Sequence, residues 1–295
     1  MSSPTLSFGY GTILDHDHWC AWCQERQANP DAISPVESAW LPDRELAFTL
    51  RAGIEGGGVL NVRTRLGQVV SGVLFSTSVE GIELLDAKEG HPEYCRAETT
   101  TVLTSDGRGH NARVYVAREH TTSTHVAPTL DYAETVRAGL NQFGLSDTVL
   151  NAAATNTPQP TAIRHVFVYG TLRKGESRHD VLRLPTLVGD ATVATIRGRL
   201  VDLGDYPGLV NSDDPQDQVV GEIYEYEELS AILSRLDMVE GFHGWNIEGS
   251  LYRRALVTAR FDAEQVVAWA YYFSGAEENG QRIVSGDWCQ RGKVE

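Results

Sequence analysis

Apolar and polar residues alternate in short runs along most of this chain, with Gly, Pro, Asn and Asp between the runs. Such a pattern predicts short, half-buried strands separated by turns. In the first half the runs are Leu6–Tyr10, Glu45–Leu50, Val59–Val62, Val69–Phe75, Ala97–Leu103 and Arg113–Ala117. In the second half they are Val166–Tyr169, Ala194–Leu203, Val219–Tyr226, Arg253–Arg260 and Val266–Phe273. Helical spacing is rarer. Asp15 is placed to cap a helix with His16, Trp19, Cys20 and Cys23 on one inward face. Leu130–Phe143 carries Tyr132, Val136, Leu140 and Phe143 on one stripe and stops at Gly144, and Leu229–Leu236 is a third helix. Strands outnumber helices and do not alternate with them. The expected class is therefore α+β, with small mixed barrel-like sheets and flanking helices.

The pattern occurs twice. Phe8-Gly9-Tyr10-Gly11-Thr12 returns as Phe167-Val168-Tyr169-Gly170-Thr171, and Leu85-Asp86-Ala87-Lys88-Glu89-Gly90 returns as Leu236-Asp237-Met238-Val239-Glu240-Gly241. The tyrosines are 159 residues apart and the glutamates 151, so order is kept and spacing nearly so. A chain of 295 residues suits two domains. We place them at 5–148 and 163–290, joined by a linker at 149–162 that is rich in small polar residues and contains Pro158 and Pro160.

Charge narrows the partners. The formal net charge is −15, and both halves share it: 18 acidic against 11 basic residues before position 145, and 22 against 14 after. With no basic face to replace released counterions, nucleic acid and anionic membrane surfaces are not expected partners. No apolar run is long enough to span a bilayer, and Met1-Ser2-Ser3-Pro4 does not resemble a secretory leader, which makes cytoplasm the expected compartment. Cys20, Cys23, Cys95 and Cys289 are too few and too scattered for a disulfide framework. His16-x-His18-x-Cys20-x-x-Cys23 has zinc-type ligands but lacks a second pair nearby, so no metal site is expected.

The repeated motifs carry the chemistry. In Tyr10-Gly11-Thr12-Ile13 and Tyr169-Gly170-Thr171-Leu172 a strand ends at a glycine, which bends the backbone and turns amide N–H groups outward toward an anion or a developing oxyanion. No Gly-Lys-Ser/Thr accompanies either turn, so a triphosphate is not the expected ligand. Glu89 and Glu240 stand at the far end of a helix beside a glycine. There the helix dipole and partial burial disfavour the anion and make a better base. Asp86 and Asp237 read as structural. Tyr94 and Tyr252 open the next strand, and Tyr115 and Tyr271 lie in the last strands, where their phenols are candidates to orient a substrate.

Together these motifs resemble the γ-glutamyl cyclotransferase-like superfamily over nearly the whole chain. The first half, through Phe8–Leu14, the Gly57-Gly58 loop, Leu85–Gly90 and the Tyr132…Gly139…Phe143-Gly-Leu145 helix, is most similar to the cyclotransferases proper. The second, through Val168–Arg173, Asp205-Tyr-Pro-Gly208, Val220-Gly221 and Ile283–Trp288, is similar to the γ-glutamylamine branch. The resemblance implies conversion of a γ-glutamyl amide into 5-oxoproline and a free amine. It casts Glu89 and Glu240 as acid/bases and Tyr10–Ile13 and Tyr169–Leu172 as substrate-binding backbone, with a small-molecule partner and no cofactor. Noncatalytic γ-glutamyl or amino-acid binding, or amide hydrolysis, are the alternatives. Phe242-His243-Gly244-Trp245-Asn246 has no counterpart in the first half and is a candidate pocket lining.

Overall fold

The computed structural model describes residues 5–52, 56–276 and 280–291; the stretch Met1–Pro4, read above for a leader, lies outside them. The chain divides into two compact units, Met1–Val102 with His110–Ala162, and Leu103–Gly109 with Ile163–Glu295.

In the first unit β1 (Thr5–Gly9), α1 (His16–Glu25), β2 (Ile33–Arg51), β3 (Gly58–Thr77), α2 (Val79–Glu89), β4 (Cys95–Leu103), β5 (Gly109–Ala117), α3 (Leu130–Gln142) and α4 (Thr148–Ala154) follow in order. The five strands close into a barrel in the order β1-β3-β2-β4-β5, and β5 returns to β1 in parallel. The three separate central strands expected from the sequence are parts of β2 and β3, which pair along most of their length. Pro35 and Pro42 lie within β2 although proline cannot donate to a ladder. The structure absorbs them as register shifts at Pro35/Glu37 and Pro42/Arg44. Asp43, with φ of 54°, takes the second shift and accepts from the Gly67 N–H at 3.0 Å.

Helix α3 matches its sequence signals closely. The Thr129 side chain accepts from the Tyr132 N–H at its start, and Val136, Gly139 and Leu140 form the buried stripe. Helix α4 was not expected. It occupies the first part of the region read as linker and buries Val149, Leu150 and Ala153. The run of small residues hid an apolar stripe only one turn long.

The second unit contains β6 (His165–Val168), β7 (Leu187–Arg197), β8 (Arg199–Asp202), β9 (Pro207–Val210), β10 (Gln218–Tyr226), α5 (Ser230–Glu240), β11 (Tyr252–Phe261), β12 (Glu264–Phe273) and β13 (Gln281–Arg282). Its barrel runs β10-β6-β12-β11-β7, and β13-β8-β9 form a small separate sheet. The single strand expected over Ala194–Leu203 is two, divided at Gly198, whose φ of 153° suits glycine alone. The helix expected over Leu229–Leu236 continues to Glu240. Each barrel interior is filled by aliphatic and aromatic side chains, including Phe8, Leu41, Val70 and Val114 in the first and Phe167, Ile196, Ala268 and Tyr272 in the second.

Candidate active site

Both glutamates owe their position to how their helices stop. Glu89 and Glu240 are the last residues of α2 and α5, and Gly90 and Gly241 follow with φ of 64° and 62°. The N–H groups of Gly90 and His91 both donate to the Asp86 carbonyl, and those of Gly241 and Phe242 to the Asp237 carbonyl. This left-handed stop turns the chain away within one residue. The glutamate side chain is left on the helix end, next to the barrel rim.

The turns sit at the same rim. After β1, the N–H groups of Leu14 and Asp15 close on the carbonyls of Gly11 and Thr12 in a single 3-10 turn. The amides of Gly11, Thr12 and Ile13 take no part in those bonds. After β6, the Arg173 N–H closes on Gly170. Helix α3 braces the first turn so closely that a Cβ on Gly139 would lie 2.5 Å from Leu14 Cβ and 2.6 Å from the Asp15 nitrogen. The second is braced by β9, where a Cβ on Gly170 would meet Pro207 at 2.5 Å. Behind it the buried Arg173 guanidinium bonds Asp287 at 2.6 Å and Glu222 at 3.4 Å.

One cavity, of about 300 Å³, is lined by Tyr10, Gly11, Thr12, Ile13, Glu89 and Tyr115. Another, of about 110 Å³, is lined by Tyr169, Gly170, Thr171, Leu172, Glu240, Tyr252 and Tyr271. Thus thirteen of the fourteen candidate residues gather in two matching places. Tyr94 is the exception: contrary to the expectation from sequence, it is 57 % exposed and lines neither cavity. Cys95, one residue later, begins β4 and faces the first cavity. Aligning Tyr94 with Tyr252 by residue type put the strand one position out of register, which reverses the face of every side chain.

A relay of hydrogen bonds repeats in both units. The Tyr10 hydroxyl donates to the Tyr115 carbonyl at 2.7 Å, and the Tyr115 hydroxyl to Asp86 at 2.6 Å. Tyr169 and Tyr271 do the same, with the Tyr271 hydroxyl 2.6 Å from Asp237. The aspartates therefore fix the phenols of the last strands, a role that their spacing alone did not disclose. Burial alone would raise the Asp86 carboxyl, but the bonds from Tyr115 and Arg113 hold it below its ordinary value.

The glutamates differ from these aspartates. Burial pushes the Glu89 carboxyl up, with the Lys88 ammonium opposing, and pushes Glu240 from 4.5 to about 7, with Arg178 opposing. The sequence pointed in this direction, and desolvation is the larger cause. A carboxyl poised near neutrality beside an array of backbone donors can take a proton from one nitrogen and return it to another.

Several lining residues were not among the candidate site residues read from sequence. In the first cavity these are Lys88, Cys95, Tyr132 and His18, and in the second Arg178, Tyr206 and Pro207. Tyr132 had a signal, its place on the stripe of the closing helix; its hydroxyl accepts from the Leu60 N–H at 3.1 Å. The segment Phe242–Asn246 does not line the cavity. Phe242 and Trp245 instead pack on the buried Arg254 guanidinium, 5.1 and 5.0 Å from the ring centroids. In α1 only Trp19 and Cys23 are buried, whereas His16 is exposed and Cys20 only partly covered, 3.5 Å from His16 Nε2. No cluster of metal-ligating side chains occurs among the described residues.

A Niallia circulans protein, gamma-L-glutamyl-butirosin B gamma-glutamyl cyclotransferase, is 33 % identical over 127 residues, which cover 43 % of this chain and 76 % of the relative. The Escherichia coli K12 gamma-glutamylcyclotransferase family protein YtfP is 30 % identical over 128 residues, 43 % of this chain and 98 % of its own. A solved gamma-glutamyl cyclotransferase structure superposes with a TM-score of 0.42 at 20 % identity, over 51 % of this chain and 85 % of that one. Each match spans about one domain. The family model described as gamma-glutamyl cyclotransferase, AIG2-like, matches residues 7–134 and again 166–290. The chain belongs to the gamma-glutamyl cyclotransferase, AIG2-like family, and carries two copies of its domain.

Proposed function

We propose that each domain cleaves a γ-glutamyl amide to 5-oxoproline and a free amine, with Glu89 and Glu240 as the respective acid/bases. The observation that carries the reading is the shared cavity: in each unit one carboxyl with a raised proton affinity lines the same space as the Tyr-Gly-Thr turn.

The reaction asks little else of a protein. The glutamate takes a proton from the substrate's α-ammonium, and the freed amine attacks the γ-carbonyl carbon of its own molecule. Charge then develops on the carbonyl oxygen, and the amides of Thr12 and Ile13, or Thr171 and Leu172, all of residues that line the cavities, receive it in this reading. Glu–COOH returns the proton to the amide nitrogen, the C–N bond breaks, the second proton of the attacking nitrogen passes to the released amine, and the neutral five-membered lactam and an ammonium leave. Intramolecular attack from a well-oriented conformer is worth an effective molarity of about 10⁵–10⁸ M, so shape supplies much of the rate. Tyr10, Tyr115, Tyr169 and Tyr271, tied by their hydroxyl bonds, serve as rigid walls that fold the glutamyl chain.

The test is 5-oxoproline release from a panel of γ-glutamyl dipeptides and γ-glutamylamines by the full chain, Glu89→Gln, Glu240→Gln and the double variant. Each single substitution removes the turnover of its own domain and the double variant removes both, with losses of about 10²–10⁴ per site. Double-variant turnover within about tenfold of wild type refutes the role of the glutamates. Free glutamate as product indicates a hydrolase, and binding without product indicates a ligand-binding module.

A further inference from the structure

The two cavities share their chemistry but not their size. At about 300 Å³ the first is nearly three times the second, at about 110 Å³. Matched positions in the two linings differ in bulk. Cys95 and Tyr252 are each the first residue of the strand after the glutamate helix, each is buried, and each lines its own cavity. Tyr252 is fastened across the second cavity: its hydroxyl donates to the Pro207 carbonyl at 2.7 Å, and Tyr206 and Phe273 pack edge-on against its ring. A thiol at the same place leaves that volume open.

The floors differ as well. Ser7, three residues before Tyr10, lines the first cavity, is 3 % exposed, and its hydroxyl has no partner among the described residues. The matching position, Val166, is apolar and does not line the second cavity. A buried hydroxyl left unpaired is unfavourable and favours a ligand that brings a hydrogen-bonding group.

Resting on the cyclotransferase reading, we propose that the residue opening this strand, Cys95 in one domain and Tyr252 in the other, sets the bulk of the amine each site releases. The first site accepts γ-glutamyl amides of bulky amines with a polar group within reach of Ser7, and the second accepts slim amines. One chain would thereby serve two groups of γ-glutamyl amides.

Two probes separate the cases, γ-glutamyl-methylamide as the slim amide and γ-glutamyl-tyramide as the bulky, hydroxyl-bearing one. The full chain with Glu240→Gln reports the first site, and with Glu89→Gln the second. The ratio of kcat/KM for tyramide over methylamide is expected to be about tenfold or more higher in the first site. Adding C95Y to the Glu240→Gln chain lowers that ratio by about tenfold, and adding Y252C to the Glu89→Gln chain raises it. The two swaps read the same determinant in opposite directions, so poor folding of one leaves the other decisive. Ser7→Ala lowers tyramide turnover more than methylamide turnover. Equal ratios in the two sites, or ratios that neither swap moves, overturn the inference while the cyclotransferase reading stands. A wild-type chain that forms 5-oxoproline from neither probe nor from the dipeptide panel overturns both.

Discussion

Replacing Glu240 by Gln should stabilise the second domain, and only at neutral and alkaline pH. The cavity raises this carboxyl from an ordinary 4.5 to about 7, chiefly by desolvation. Its folded-state value thus lies above its unfolded one. Stability from the protonated form is complete below about pH 4.5 and is lost as the pH rises through 7. At pH 8 the group is ionised in both states, and holding the anion in the cavity costs about 3 kcal/mol. Glutamine keeps the shape and removes the charge, so it escapes this cost. The assay is urea unfolding of the full chain at pH 4.5 and pH 8, followed by tryptophan fluorescence. Trp245, Trp269 and Trp288 report the second domain, and the difference from wild type removes the contribution of Trp19, Trp22 and Trp40. With a urea dependence of about 1–3 kcal/mol/M, the second-domain midpoint of the variant moves up by about 1 M or more at pH 8. At pH 4.5 the two proteins unfold nearly together. A shift of equal size at both pH values, or a variant less stable than wild type at pH 8, refutes desolvation as the origin of the raised proton affinity.

The same carboxyl sets a rate profile: kcat/KM of the second site, read in the Glu89→Gln chain, rises with pH through about 7 as Glu240 becomes a base, and a profile flat from pH 5 to 8 contradicts it. Gly139→Ala forces a Cβ against Leu14 and the Asp15 backbone, so it should cost about 1–3 kcal/mol of first-domain stability and lower first-site turnover with the second site untouched. Unchanged melting and turnover would mean that α3 does not hold the turn. Tyr115→Phe removes a 2.6 Å bond to Asp86 and should cost about 1 kcal/mol in thermal unfolding, with Arg113 remaining as partner of the carboxylate. A loss beyond about 3 kcal/mol would show that Asp86 depends on the phenol for most of its stabilisation.

Much of this molecule is legible before any coordinates. Alternation of apolar and polar residues locates the strands, and the Tyr-Gly-Thr and Leu-Asp-x-x-Glu-Gly copies disclose both the duplication and the glutamates. These are local signals: a period of two, a glycine after Glu89 and Glu240 that breaks the helix, and a glycine, Gly144, that stops α3. Local signals also mislead where pairing overrides them. The run Glu45–Leu50 looks like a short strand, yet β2 extends from Ile33 to Arg51 because β3 pairs with it along most of that length. Tyr94 looks like the partner of Tyr252, yet Cys95 takes that place, because the strand register is set by the barrel and not by residue type. Asp86 and Asp237 read as structural, but nothing local names their partners, each a tyrosine more than 25 residues away.

The sequence by itself determined that there are two related α+β domains, each ending a strand in a glycine turn and a helix in a glutamate. Only the tertiary structure decided that the turn and the glutamate share a cavity, how large that cavity is and which side chains close it. Cavity size depends on residues brought from distant strands and helices, Cys95 and Tyr132 on one side, Tyr252 and Pro207 on the other. Such contacts arise when a sheet closes on itself, and no periodicity along the chain encodes how much space is left inside.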